Sequence, residues 1–397
     1  MNKDFVYNPY TKIYFGENKE LEIGEILNSY HFHNVLILIG MGSVKKSRLL
    51  DRVIEVLNKH HISYHILSNI RPNPTIESVK EGLKLVRQYQ VDCLLPIGGG
   101  SVIDTAKCIA VNYEYDGDPF DFNLHKVKPT KALPIGAIVT IAAAGSECST
   151  SCVIQDDEKQ IKQGFNAEIV RPLFVIENPY LTMTTPKEQT NYGIVDILMH
   201  TLERYFCPSD DIEFADYIAE GLIKAVIEAG KVVNKDPNDY QARATLLLAS
   251  SFSHNGLTNV GKSYTMPVHK LEHVISAVYP NVAHAAGLAL LFPRWAKQYV
   301  DVYVDKFAKF SKNVFNINEK DQALQARKGI QLLTQFFYEL GMPKTFKDLS
   351  IDDINVDLLV QQFAVLSTPK VAKEKKPLDE KVAREIYQSC IMEEINL

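Results

Sequence analysis

Residues 93–113, CLLPIGGGSVIDTAKCIAVNY, read as a strand, a glycine turn and a helix in immediate succession. The run CLLPIG is short and continuously apolar, as expected of a strand buried on both faces, and the spacing after Ser101 becomes helical. Gly98, Gly99 and Gly100 therefore sit where a strand hands over to a helix. Backbone N–H groups at that positive helix end can approach an anion with no Cβ atoms in the way, which suits a pyrophosphate. A tight strand-to-helix turn is the plainer alternative, but it does not need three successive glycines. The motif is neither G-x-G-x-x-G nor G-x-x-x-x-G-K-[ST], which disfavours a conventional Rossmann fingerprint and a nucleotide triphosphatase.

The segments on either side repeat the pattern. VLILIG (35–40) reads as a buried strand, followed by a helix from about Ser43 through VIEVLNKH. YHILSNI (64–70) is another strand, and PNPTIESVKEGLKLVRQY then enters a helix that Thr75 can cap. LPIGAIVTI and LFVIE add two further strands. Strands alternating with helices predict a parallel sheet covered by helices. From about Thr185 helical spacing dominates, with no convincing strand. The expected organisation is an α/β dinucleotide-binding domain over residues 1–185 and an all-helical domain over residues 186–397. KVAKEKKP (370–377) reads as an exposed loop.

A second glycine turn, GMGSVKK (40–46), follows the first strong strand. Sites for NAD commonly hold the ribose hydroxyls with an acid at a strand end, whereas sites for NADP offer small and basic groups to the extra phosphate. No acid is present here. Gly40, Gly42 and Ser43 leave room, and Lys45 and Lys46 bring positive charge, so NADP(H) is expected over NAD(H). Surface lysines on a helix are the alternative reading.

In GIVDILMHTLERY (193–205), Asp196 and His200 project from one helix face a turn apart. Alone, such a pair is more often solvated than metal-binding. A second source lies in MPVHKLEHVISAVYPNVAHAAGLALLFP (266–293). There His269 and His273 share a helix face, a Tyr-Pro-Asn turn follows, and His284 comes near the start of the next helix. An aspartate with three imidazoles suits a transition ion such as Fe(II) or Zn(II), whereas calcium and magnesium prefer oxygen shells. The histidines could instead satisfy ordinary core hydrogen bonds.

Bulk properties exclude several classes. A chain of 397 residues, 46% hydrophobic and 23% charged, can bury two cores. Its net charge of -5, with dispersed lysines and arginines, gives no electrostatic case for nucleic acid or a membrane surface. The six cysteines contain no C-x-x-C, and the start MNKDFVYNPYTKIYFG lacks an apolar signal core, so a reduced cytoplasmic protein is expected.

Taken in order, NPYTKIYFG, GMGSVKKS, RPNPTIESV, PIGGGSVIDTAK, TIAAAGSECS, KQGFNAEIVRPLFVIENP, GIVDILMHTLERY and HKLEHVISAVYPNVAHAAGLALLFPRW span nearly the whole chain. Together they resemble the iron-containing (group III) alcohol dehydrogenases, closest to the branch of butanol dehydrogenases and NADPH-dependent aldehyde reductases. The resemblance implies the dehydroquinate synthase-like architecture, with metal and cofactor meeting in a cleft between the domains. It implies Asp196, His200, His269 and His284 as metal ligands, with Fe(II) the first choice and Zn(II) an alternative, and places His273 beside the substrate. It puts Gly99, Gly100, Ser101 and Asp104 in the cofactor turn and helix, Thr140 and Ser146 along the nicotinamide side, Lys162 facing the cofactor, and Asn73 with Pro74 beside the adenosine half. Asp104 could instead complement the helix dipole. A homodimer is implied as well, with the strand near Ile13 as a possible contact.

Three features depart from the family pattern. TIAAAGSE carries Ala142 where proline is usual, the first glycine turn reads GMG, and YPNVAH is one residue longer than typical, leaving His269 and His284 15 apart. Resumption of the pattern in HAAGLALLFPRW implies that the turn absorbs the extra residue.

The activity implied is hydride transfer between NADP(H) and a small aliphatic alcohol or aldehyde such as butanol or butanal. His273 would relay the proton or only shape the site. Phe252 and Leu257 are candidates for an apolar substrate pocket in the helical half. An NAD-dependent alcohol or polyol dehydrogenase of the same superfamily, or a non-catalytic binder of nucleotide and metal, are the alternatives.

Overall fold

The computed structural model describes residues 4–208, 213–365 and 375–393. Residues 370–374 of the expected KVAKEKKP loop lie outside the described residues.

The α/β unit follows from the apolar runs. Its elements in chain order are β1 (Lys12–Phe15), α1 (Ile23–Ser29), β2 (Asn34–Gly40), α2 (Ser43–Lys46), α3 (Leu49–Lys59), β3 (Ser63–Ile70), α4 (Ile76–Tyr89), β4 (Cys93–Gly98), α5 (Gly100–Asn112), β5 (Gly136–Val139), β6 (Ser151–Asp156), β7 (Ile161–Asn166) and β8 (Phe174–Glu177). Six strands form one sheet in the order β1-β8-β5-β4-β2-β3, and every pairing in it is parallel. Leu36, Leu38 and Leu94 enter a core on one face of the sheet, whereas Val35, Ile37, Ile39, Leu95 and Ile97 enter a core on the other. Strands buried on both faces need continuous apolar runs, which VLILIG and CLLPIG supply.

Chain order sets a switch point within this sheet. From β2 the chain moves outward to β3, then returns to lay β4 on the other side of β2. Parallel α/β sheets bind ligands beyond the carboxyl ends of the strands at such a reversal. Gly40 ends β2 and Gly98 ends β4, so both glycine turns flank it.

Local structure departs from expectation in three places. The helix after β2 is broken into α2 and α3, because Arg48 takes a left-handed conformation (φ 57°) between them. Thr75 occupies the N-cap position of α4 without a side-chain cap; its backbone is held extended in a bridge to Gln155. Residues 151–166, where no strand was expected, form the antiparallel hairpin β6–β7, with Gln155 opposite Lys162.

The remaining helices are α6 (Lys187–Phe206), α7 (Glu213–Lys235), α8 (Tyr240–His254), α9 (Pro267–Val278), α10 (His284–Tyr299), α11 (Val304–Phe315), α12 (Gln322–Glu339), α13 (Val356–Val365) and α14 (Glu380–Ser389). Two compact units divide the chain between residues 186 and 187, but helix α8 belongs with the α/β unit and residues 4–7 with the helical one. Thus residues 186–397 do not form one contiguous helical body as the sequence suggested. The reason is polar as well as apolar: Leu247 joins the core of Ile103, Ala137 and Val175, and Ser251 bonds to Glu147 and Glu177. Phe252, on α8, accordingly lies in the α/β unit. Among the described residues, no helix is long and apolar enough to cross a membrane.

Candidate functional site

Apolar residues surround α6: Ile194, Val195, Ile197, Leu198, Met199 and Leu202 are all buried. A helix apolar on every side is an interior helix. Asp196 and His200, 6% and 5% exposed, are therefore enclosed and not a solvated pair. The Asp196 carbonyl oxygen lies 3.0 Å from His200 Nδ1, which leaves Nε2 as the nitrogen with an available lone pair. Helix α9 opens with Pro267, suited to a first helical position because it lacks the N–H that would go unbonded. It sets the His269 ring 4.6 Å from that of His200, with His269 Nε2 3.9 Å from Asp196 Oδ1.

Ligand atoms from Asp196, His200 and His269 fall within 4.8 Å of one another. Asp196 Oδ1 and His269 Nε2 are both buried with no hydrogen-bond partner. Leaving a carboxylate oxygen and an imidazole nitrogen in that condition costs about 1–3 kcal/mol each, more where charged. A divalent cation among these atoms would satisfy both, so the donor set fits one. His284 opens α10 after the turn of residues 279–283, and its ring stands 5.3 Å from that of His269. The ring of His273 lies 5.6 Å from His284 and 6.4 Å from His269, beside the cluster.

Two carboxylates that sequence reading passed over complete the arrangement. Glu203, on α6, accepts from His269 Nδ1, and Glu272, on α9, accepts from His284 Nδ1. Their signal was present in HTLE and KLEH, where each glutamate lies within three residues of a candidate histidine. Glu272, His273 and His284 also form a close group. Both oxygens of Glu272 are already engaged there, by His284 Nδ1 and by Ser276 Oγ, which argues for support and against a second ion.

Charge follows from these contacts. Burial raises the Asp196 carboxyl, but His200 and then His269 outweigh it and hold it well below the usual carboxylate range. Burial pushes His200 down to about 4 against the attraction of Asp196. Burial also works to lower His269, yet the carboxylates of Glu203 and Asp196 raise it to about 9.

The cofactor candidates gather in the α/β unit. Gly98 and Gly100 bracket the junction of β4 and α5, and a Cβ on Gly99 would stand 2.6 Å from Ile141 Cγ2, so the turn is closed to a larger residue. Ser101 lies in the first turn of α5, and Thr140 follows β5, its N–H bonding the Gly98 carbonyl at 3.2 Å. Lys162, buried on β7, donates to Asn73 Oδ1 at 3.0 Å, and Pro74 accepts from the Gln155 N–H at 2.9 Å, so this predicted pair of segments does come together. Gly40, Gly42 and Ser43 form the turn into α2, and Lys45 and Lys46 stand exposed in its last turn.

Asp104 and Ser146 hold each other. Ser146 Oγ donates to Asp104 Oδ1 at 2.5 Å, while Asp104 Oδ2 accepts from the Val153 N–H at 2.9 Å. Asp104 thus ties α5 to β6 and does not serve merely to complement a helix dipole. Beside it the fully buried Lys107 ammonium donates to the carbonyls of Ser146, Ser149 and Ser151 at 2.7–2.9 Å. From α8, His254 Nδ1 lies 2.8 Å from the Ala144 carbonyl, and Gly145 (φ 68°) leaves no space for a Cβ, which would meet Ser250 O at 2.3 Å. The loop over residues 140–149 is therefore clamped from two sides, by residues whose role no local motif announces.

Comparison with known proteins identifies the family. Residues 10–179 match the iron-containing alcohol dehydrogenase family, and residues 190–390 match the C-terminal region of the Fe-containing alcohol dehydrogenase family. The chain is 37% identical over 386 residues to NADH-dependent butanol dehydrogenase A of Clostridium acetobutylicum, covering 97% of this chain and 98% of that protein. It is 32% identical over 393 residues to the NADPH-dependent aldehyde reductase YqhD of Escherichia coli, covering 98% and 100%. The crystal structure of NADH-dependent butanol dehydrogenase A from Thermotoga maritima superimposes with a TM-score of 0.93 at 33% identity, covering 98% of this chain and 99% of that one.

Proposed function

The chain belongs to the iron-containing alcohol dehydrogenase family and is an NAD(P)-dependent alcohol dehydrogenase, and we propose that it interconverts small aliphatic aldehydes and alcohols, such as butanal and butanol, using NADP(H) and a divalent metal ion. Asp196, His200, His269 and His284 would hold the ion. The observation that carries this reading is the pair of buried atoms without hydrogen-bond partners, Asp196 Oδ1, which lies 3.2 Å from His200 Nδ1, and His269 Nε2, in a cluster of one carboxylate and imidazoles. When bound there, Fe(II), or Zn(II) on the same donors, supplies Lewis acidity that polarises a carbonyl or acidifies a hydroxyl. The nicotinamide cofactor supplies or takes the hydride.

The chain's own residues prepare this chemistry. Burial of α6 keeps bulk water from Asp196 and His200, so their donor atoms keep a fixed geometry. His273, part-exposed and beside the cluster, would pass a proton between the substrate oxygen and solvent. Gly98–Gly100 and the first turn of α5 would receive the pyrophosphate, with Ser101 at that turn. Thr140 and Ser146 would line the nicotinamide side, and Asn73, Pro74 and Lys162 the adenosine half.

Exposed Lys45 and Lys46 after an acid-free glycine turn support NADP(H). A second reading, NADH dependence, is favoured by the names of the butanol dehydrogenases at 35–37% identity. We also propose a cytoplasmic homodimer, supported by six buried cysteine thiols and by β1 at the sheet edge.

The test follows absorbance at 340 nm with butanal, using metal-stripped protein reloaded with Fe(II) or Zn(II). Metal-dependent oxidation that is faster with NADPH, and lost in His269→Ala, is the expected result. Equal or faster turnover with NADH would refute the lysine argument alone. No turnover with a panel of short aldehydes and either cofactor would refute catalysis.

A further inference from the structure

Asp196, His200 and Glu203 lie at steps of four and three along α6, so one face of that helix carries all three. Glu203, 1% exposed, makes more than one contact with α9. Its Oε1 accepts from the Val268 N–H at 2.6 Å, its Oε2 lies 3.3 Å from the His269 N–H, and Oε2 also accepts from His269 Nδ1. A carboxylate on the first-turn N–H groups of a helix caps it and complements its dipole. The same carboxylate therefore fixes where α9 begins and which way the His269 ring points.

Glu272 repeats the device between α9 and α10. It is fully buried, accepts from Ser276 Oγ on its own helix, and accepts from Nδ1 of His284 at the head of α10. The approach is close enough that a Cβ on Gly287 would stand 2.8 Å from Glu272 Cγ. Glycine at that position is what allows α10 to come so near. The contacts thus form a series: Glu203 of α6 to His269 of α9, then Glu272 of α9 to His284 of α10.

In the neutral ring that ligates a metal, an imidazole that gives its Nδ1–H to a carboxylate has Nε2 as its lone-pair nitrogen, with raised basicity and a fixed ring plane. In His269 that nitrogen is the buried atom without a partner, 3.9 Å from Asp196 Oδ1. We propose that Glu203 and Glu272 are the positioning residues of the metal site, setting the tautomer and orientation of His269 and His284 so that Nε2 of each faces the ion. The proposal rests on the metal-binding reading above. It assigns two residues that touch neither substrate nor ion, and it predicts their effect on metal affinity separately from any effect on turnover.

The decisive variant is Glu272→Gln, because Glu203 also caps a helix and its loss can harm folding. Metal-stripped wild type, Glu272→Gln and Glu203→Gln are titrated with Zn(II) against a chromophoric chelator. Histidine side-chain nitrogen NMR spectra of the same samples report the tautomers. Wild type is expected to bind one zinc per chain with an Nδ1–H tautomer at His269 and His284, and each glutamine variant to bind about 10–100-fold more weakly with mixed tautomers. Wild-type affinity in Glu272→Gln, with the His284 tautomer unchanged, would overturn the proposal while leaving the metal site intact. A wild type that takes up no zinc or Fe(II) would overturn the metal site itself, and the proposal with it.

Discussion

Replacing Glu177 with glutamine should reduce the pH dependence of stability in the α/β unit. Glu177 ends β8 fully buried, with its Oε1 2.6 Å from Ser251 Oγ; the same hydroxyl lies 2.8 Å from Oε1 of buried Glu147. A hydroxyl carries one proton and cannot donate to two carboxylates at once. One of the two contacts must therefore be donated by a protonated carboxyl. Burial raises both carboxyls, but Glu147 also accepts from Ser250 Oγ and feels the Lys107 charge, which favour its ionised form. Burial, and then the Glu147 carboxylate, push Glu177 up to about 8, which makes Glu177 the acid: it donates to Ser251, and Ser251 donates to Glu147. Because the folded value lies above the ordinary 4.5, this contribution to stability is complete below pH 4.5 and is lost as pH rises through about 8. At about 1.4 kcal/mol per pH unit, the span sets an upper limit of about 5 kcal/mol.

Glutamine keeps the shape and a donor N–H toward Ser251 but cannot ionise. Thermal melts of wild type and Glu177→Gln, run at intervals from pH 5 to pH 9 in the same metal-stripped state, isolate the term because other titrations cancel in the difference. The two are expected to agree within about 1 kcal/mol at pH 5, with the variant gaining as pH rises. At about 2–4 °C per kcal/mol for a domain of this size, the gap in Tm should widen by several degrees. A gap that stays constant from pH 5 to pH 9 would refute the proton count at Ser251.

Asp216 is buried among Lys262, Lys306 and Lys309; burial works to raise its carboxyl, but the hydrogen bonds from Lys262 and Lys306 prevail and hold it at about 2. Asp216→Asn should destabilise the helical unit by about 3–5 kcal/mol, since the Lys262 ammonium would remain buried with its counter-charge removed; an unchanged urea midpoint at neutral pH would contradict this. Gly99→Ala places a Cβ 2.6 Å from Ile141 Cγ2. It should raise the KM for NADPH by about 10-fold, at an overpacking cost of about 1–3 kcal/mol, with zinc affinity unaltered; steady-state kinetics and the chelator titration check both halves.

Much of this protein is legible in local sequence. Strands buried on both faces write themselves as continuous apolar runs, which is why β2, β4, β5 and β8 could be placed, and why a parallel sheet followed. Interior helices write themselves as apolar residues at every angle, which exposed the enclosure of Asp196 and His200 once α6 was seen to be surrounded. The hairpin β6–β7 escaped because its strands alternate weakly and carry Lys162 and Gln163 in the middle. The interruption at Arg48 escaped because nothing in SVKKSRLL forbids a continuous helix; the left-handed residue there answers to packing and not to propensity.

Sequence by itself determined which residue types are available for the chemistry: an Asp-x-x-x-His on one helix, three histidines on a later pair, and glycines at two strand ends. Those are covalent facts, and short spacing makes them meet wherever the helix or turn forms. Tertiary structure alone decided their partners. That Asp196 Oδ1 and His269 Nε2 are buried without hydrogen bonds, that Glu203 and Glu272 stand behind two of the imidazoles, and that α8 returns to the sheet to share a proton between Glu147 and Glu177, depend on contacts between residues 12 to 104 positions apart. Over such separations the chain imposes almost no geometry of its own; burial of the apolar faces does, and it fixes the polar atoms only once the cores have closed.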